Sequence, residues 1–196
     1  MDNEKQLTPS GEPEAPISAK KMSDTLLDVL EAFVLSAMSV ILIFTFFLRI
    51  TIVDGPSMED TLHDGEALLV SDFLYTPDAG DIVIIHQPTP HYPDPLVKRI
   101  IAVGGQTVDI DFDTWTVTVD GVVIDEPYIK LTDDQRITSN LTYPLVVPEG
   151  YVFVMGDNRN HSADSRTSLI GMIDVRCILG KVLLRIAPLP VFGPVD

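Results

Sequence analysis

The chain has 196 residues, enough for one domain with a proper core plus an appendage. It carries 29 acidic against 13 basic side chains, and from Ile50 onward 22 against 9. That balance excludes nucleic acid as a partner, because such binding draws its affinity from cationic contacts to phosphate. The single cysteine, Cys177, excludes an intrachain disulfide, and in its apolar-rich stretch a buried, inert thiol is expected.

Residues 1–25 open with Pro9, Pro13 and Pro16 among Ser, Glu and Lys, and read as a disordered cytoplasmic tail with little to bury. Ala32 to Leu48 then run for 17 residues without a charge, bounded by Glu31 and Arg49. This is the short end of the roughly 17 to 25 residues that cross a bilayer as a helix, and Arg49 can snorkel to extend it. The run is apolar all round, unlike a helix lying on a protein surface. Phe46-Phe47-Leu48-Arg49 offers no small-x-small site for removal as a signal peptide. Residues 26–49 are therefore expected to form an uncleaved, single-pass anchor in the plasma membrane. Lys20 and Lys21 precede it and Arg49 alone follows closely, which favours a cytoplasmic N-terminus and an extracytoplasmic domain over residues 50–196.

Beyond the anchor, short β-branched runs are separated by Gly, Pro and Asp, as in Ala67–Val70, Asp81–Ile85 and Tyr151–Met155. These read as strands of a mostly β domain. Trp115 to Ile124 is two alternating runs around Asp120-Gly121, a strong hairpin signal. Residues from about 107 to 148 form an inserted β subdomain, with Thr132 to Thr142 as a polar loop. Pro88, Pro90, Pro93 and Pro95 force an exposed loop between the strand ending near His86 and the one starting near Leu96.

Three stretches carry candidate chemistry. Gly55-Pro56-Ser57-Met58 puts a serine in a turn just past the anchor, as a nucleophile or as an ordinary turn residue. In Leu96–Val103 the alternation of a strand places Lys98 with Leu96 and Ile100, and Arg99 with Val97 and Ile101, so one cation must lie on an apolar face. A desolvated lysine loses pKa and can serve as a base near neutrality, whereas arginine cannot be deprotonated. A lysine snorkelling at a sheet edge fits the same pattern. Gly156 to Arg166 is dense in paired acids and bases, suited to a rigid loop tied by internal ion pairs or to a solvated one.

Together these stretches resemble the bacterial type I signal peptidases, membrane-anchored serine proteases with a Ser-Lys dyad. Ser57-Met58-x-x-Thr61-Leu62 matches the nucleophile box, and Gly80-Asp81-Ile82-Val83 a structural box. Lys98-Arg99 with Gly104-Gly105 matches the lysine box, and Gly156-Asp157-Asn158-Arg159 through Ser162-Ala163-Asp164-Ser165-Arg166 the last one. The resemblance implies a signal-peptidase-like β catalytic domain in which Ser57 is the nucleophile and its backbone N–H serves the oxyanion hole. It makes Lys98 the general base, Ser162 the lysine-positioning hydroxyl, and Asp164 and Arg166 a supporting ion pair. It further implies secreted preproteins as substrates, cut after small-x-small motifs, with Ile52 and Met58 as pocket walls; no cofactor or metal is implied, and a monomer in the lipid bilayer is expected. Gly55 stands where some members have a second oxyanion serine. Asp60 replaces the usual proline, a change expected to loosen the turn and to perturb Lys98.

Rival readings are a Ser-His-Asp triad using His63, His86, His91 or His161, and a metal site at His86, His91 and Asp94, whose Pro-interrupted loop fixes no ligand geometry. A weakly catalytic assembly factor for surface proteins would lack use for both Ser57 and Lys98. A self-cleaving regulator would carry a DNA-binding segment where this chain has its apolar run.

Overall fold

The computed structural model describes residues 19–132 and 139–195. The three prolines of the expected tail, and residues 133–138 of the expected polar loop, lie outside the described residues. The chain divides into two compact units at Ile43 and Phe44, and the second holds both β-sheets.

Helix α1 spans Ala19–Phe46. Within it, the 22 residues Asp24–Thr45 contain an 18-residue window of mean hydropathy 2.2, none of it buried. At ~1.5 Å per residue the stretch Asp24–Thr45 is about 33 Å long, enough to cross the ~30 Å hydrocarbon layer of a bilayer. The helix starts well before the uncharged run because Asp24, Asp28 and Glu31 are unwelcome in hydrocarbon but compatible with helix. At the other end, Arg49 belongs to strand β1 (Arg49–Ile52) and reaches Asp72 at 3.2 Å instead of extending the helix.

The remaining strands are β2 (Ala67–Ser71), β3 (Ile82–Ile85), β4 (Leu96–Val103), β5 (Thr107–Asp111) and β6 (Thr116–Val119). They continue with β7 (Val122–Val123), β8 (Leu145–Val146), β9 (Tyr151–Met155), β10 (Ile173–Asp174) and β11 (Ile178–Ala187). One antiparallel sheet runs β1-β2-β11-β3-β4-β9-β10, and a smaller one runs β7-β6-β5-β8. The Asp120-Gly121 hairpin forms as its turn chemistry demands, both residues taking positive φ of 52° and 79°.

All of β3 is buried, and its alternation splits the core in two. Ile82 and Ile84 pack with Val53, Met58, Leu62, Leu68, Val70 and Val97 under the Ser57 turn. Val83 and Ile85 pack with Ile100, Val152, Val154 and Ile173. A third cluster joins the two sheets, with Ile101, Phe153 and Met155 from the large one against Val108, Ile110 and Val117 from the small one.

Candidate active site

The turn that carries Ser57 is fixed from below. Val53 N–H donates to Glu66 O at 2.8 Å, and Gly55, at φ 87°, aims its N–H at Asp64 Oδ1, 2.8 Å away. Met58 and Leu62 are fully buried, and Leu62 N–H closes on Met58 O at 2.8 Å. Two apolar anchors thus hold a half-exposed serine at the surface of the core. The Ser57 N–H itself is engaged by no hydrogen bond among the described residues.

Lys98 stands on β4 opposite Val83 and is 2% exposed. Its Nζ donates to Ser57 Oγ and to Val97 O, each at 2.8 Å. Burial lowers its pKa from the usual lysine value to about 8, Asp164 and Asp157 opposing the shift and Arg166 adding to it. Asp60, expected to perturb Lys98, is instead paired with Lys130 at 2.9 Å.

Neither cation of the Lys98-Arg99 pair reaches solvent, for Arg99 is 3% exposed. Arg99 meets Asp157 in a two-point pair at 2.9 and 2.8 Å and donates to Gly80 O at 3.0 Å. Thr61 donates to the same Asp157 carboxylate at 2.5 Å, and Asn158 donates from its main chain to Ser57 O at 3.1 Å and from its side chain to Pro56 O at 3.0 Å. Asp157 and Asn158 thereby tie the lysine strand to the serine turn. Their roles were hidden in the sequence, where the Gly156–Arg159 motif showed that a loop was needed but not which partner each side chain takes.

Asp164 and Arg166 lie together at 0% exposure, joined at 2.7 and 2.8 Å, and Gly156 N–H adds a 3.0 Å bond to Asp164. Burial alone would raise the Asp164 carboxyl; the Arg166 guanidinium outweighs it and holds the group below the usual carboxylate range. Ser162 is 5% exposed, and among the described residues its Oγ meets no partner at full hydrogen-bond geometry, although it helps hold the Asp164 carboxyl low. It abuts Gly156, where an added Cβ would lie 2.2 Å from Ser162 Oγ and 2.5 Å from Ser57 O, so only glycine fits. Met58 belongs to the core under the turn, whereas Ile52 closes edge strand β1 and is 66% exposed. No histidine bonds Ser57 among the described residues: His161 contacts Asn158, and His63 lies 3.7 Å from Glu66.

An apolar helix of membrane-crossing length, followed by two antiparallel sheets with a serine and a buried lysine in hydrogen-bond contact, defines a class of helix-bearing β proteins. Residues 26–187 match the family model described as signal peptidase, peptidase S26, and the chain belongs to that family. It is 37% identical over 184 residues to a signal peptidase I of Bacillus amyloliquefaciens, covering 89% of this chain and 92% of that one. It is 38% identical over 173 residues to signal peptidase I T of Bacillus subtilis, covering 83% and 86%. A crystal structure of a signal peptidase I from Enterococcus faecalis is also similar, at 30% identity and a TM-score of 0.44, over 55% of this chain and 97% of that one.

Proposed function

We propose that the chain is a membrane-anchored serine endopeptidase that removes signal peptides from secreted preproteins, with Ser57 as nucleophile and Lys98 as general base. The observation that carries this is the 2.8 Å contact between Lys98 Nζ and Ser57 Oγ in a buried site where the lysine titrates at about 8. Once Lys98 is neutral the contact reverses: the serine hydroxyl donates to the amine lone pair. Ser57 Oγ then attacks the scissile carbonyl as its proton passes to Nζ, and the oxyanion is met by the free Ser57 N–H. The ammonium protonates the leaving amine. A water, deprotonated by the same lysine, next cleaves the acyl-enzyme and restores both groups.

The substrate fits as an added strand. β1 is the sheet's edge, and Leu96–Lys98 pair with β3 on one side while β9 begins its pairing only at Arg99. An extended peptide entering beside Leu96–Lys98, where β9 has not yet begun to pair, lays its backbone close to Ser57. Of the two expected pocket walls, Ile52 is exposed at the rim of the edge strand, whereas Met58, at 0% exposure, supports the site from the core beneath Ser57. Residues 26–49 serve as the anchor, with the domain that follows outside the cytoplasm, consistent with Lys20 and Lys21 on the amino side.

The full chain in detergent is expected to cut a preprotein after a small-x-small site. Ser57→Ala and Lys98→Ala should each lose about 10³-fold or more in kcat, read by release of the signal peptide. Parental activity in either variant overturns the dyad.

A further inference from the structure

The segment Glu126–Lys130 forms no named strand, yet its alternate residues each reach a different part of the site. The Glu126 carboxylate holds the buried Arg159 guanidinium, one of its bonds at 3.0 Å. The Tyr128 ring lies 3.8 Å from Arg99 Cζ. Lys130 Nζ donates to Asp60 Oδ1 at 2.9 Å and to Glu59 Oε2 at 3.3 Å. The Lys130 main chain is bound on the opposite side, its N–H to Asp157 O at 2.9 Å and its C=O from Arg159 N–H at 3.0 Å. Between those two loop residues sits Asn158, which holds Ser57 O and Pro56 O. One residue therefore has its backbone bonded to the loop that grips the serine and its ammonium on the two carboxylates that follow the serine turn.

The geometry points to Lys130 as a positioning residue for the Ser57 turn, tying Glu59 and Asp60 to the Asp157–Arg159 loop and offsetting one of their two negative charges. The inference rests on the Ser57–Lys98 reading above. Without Lys130, the two carboxylates that follow Met58 in the chain keep their full charge, which opposes an oxyanion at the Ser57 N–H and favours the protonated form of Lys98. The charged groups that already set Lys98 are Asp164, Arg166 and Asp157, the last paired with Arg99; those facing Lys130 are Asp60 and Glu59, which hold it above the ordinary lysine value. The pair is partly solvated, with Lys130 33% and Asp60 72% exposed, so the effect is modest in size.

The test compares the full chain in detergent with Lys130→Met, Lys130→Arg and the triple change Lys130→Met, Asp60→Asn, Glu59→Gln. Preprotein cleavage is followed from about pH 6 to pH 10, alongside thermal unfolding. Lys130→Met should lower kcat about threefold to tenfold, leave KM within about twofold, and move the acid limb of the kcat profile up by about half a pH unit. Lys130→Arg should keep most of kcat, and the triple variant, which removes both carboxylates, should bring the acid limb back down to its parental place or below it. An unmoved acid limb in Lys130→Met, or an arginine variant as slow as the methionine one, overturns the assignment. Ser57→Ala is run beside them: parental cleavage there defeats the reading of the site, whereas parental cleavage in Lys130→Met with an inactive Ser57→Ala defeats this inference alone.

Discussion

Asp164 and Arg166 are separated by one residue, and so are Asp174 and Arg176. Both pairs close, at 2.7 and 2.5 Å, and both lower the pKa of the aspartate. The surroundings differ completely. The first pair is at 0% exposure on both sides and takes a further bond from Gly156 N–H; in the second, the arginine is 86% exposed and the aspartate caps a short 3-10 turn, Val175–Cys177. Identical spacing thus yields one pair that organises a dry site and one that caps a turn. Water, not the pairing itself, decides what the contact is worth.

The largest way to test that contrast is to break the dry pair. Asp164→Asn leaves the Arg166 guanidinium buried without its counter-charge and should destabilise the fold by about 3–5 kcal/mol in urea titrations. A loss no greater than that of the exposed pair would erase the distinction. Lys98 sharpens it, because none of the ion pairs among the described residues includes this buried cation. Its native pKa of about 8 lies below the unfolded value of ~10.4. The unfolded chain therefore binds the extra proton between those values, and stability rises with pH across that window. Lys98→Met should accordingly stabilise the fold at pH 7 by on the order of 3 kcal/mol, with the gain fading as pH climbs through the window. A gain independent of pH would refute the assigned shift. At the small end, Arg176→Ala should leave both the melting temperature and cleavage unchanged, and a clear drop in either would show that the exposed pair does more than cap its turn.

Much of this architecture was legible in the residues. Short β-branched runs became β2, β3 and β9, and Asp120-Gly121 gave the hairpin, since turn chemistry and alternation are local signals. The serine and lysine were legible as candidates, because each has a recognisable neighbourhood. Strand β11 was not marked out, although it lies between β2 and β3 near the middle of the larger sheet. Its register shifts and its Gly180, Lys181 and Arg185 blur the period of two that marks a strand. The Glu126–Lys130 segment was equally silent, since its meaning lies in partners far along the chain. Ser162 lies beside Gly156 next to the site, and among the described residues its hydroxyl makes no bond to Lys98.

The seam between the two units has a practical consequence for making a soluble fragment. The second unit begins at Phe44, and Arg49 already pairs in register with Val70. A cut placed at the end of the uncharged run, after Leu48, would leave that edge strand with a charged new terminus at its first paired residue. A cut a few residues earlier keeps the Phe47 ring on Phe73, 4.7 Å between centroids, and Ser71 Oγ on the Phe47 carbonyl at 2.7 Å. The useful boundary for expression is therefore set by where the sheet begins to be held, not by where the hydrophobic letters stop.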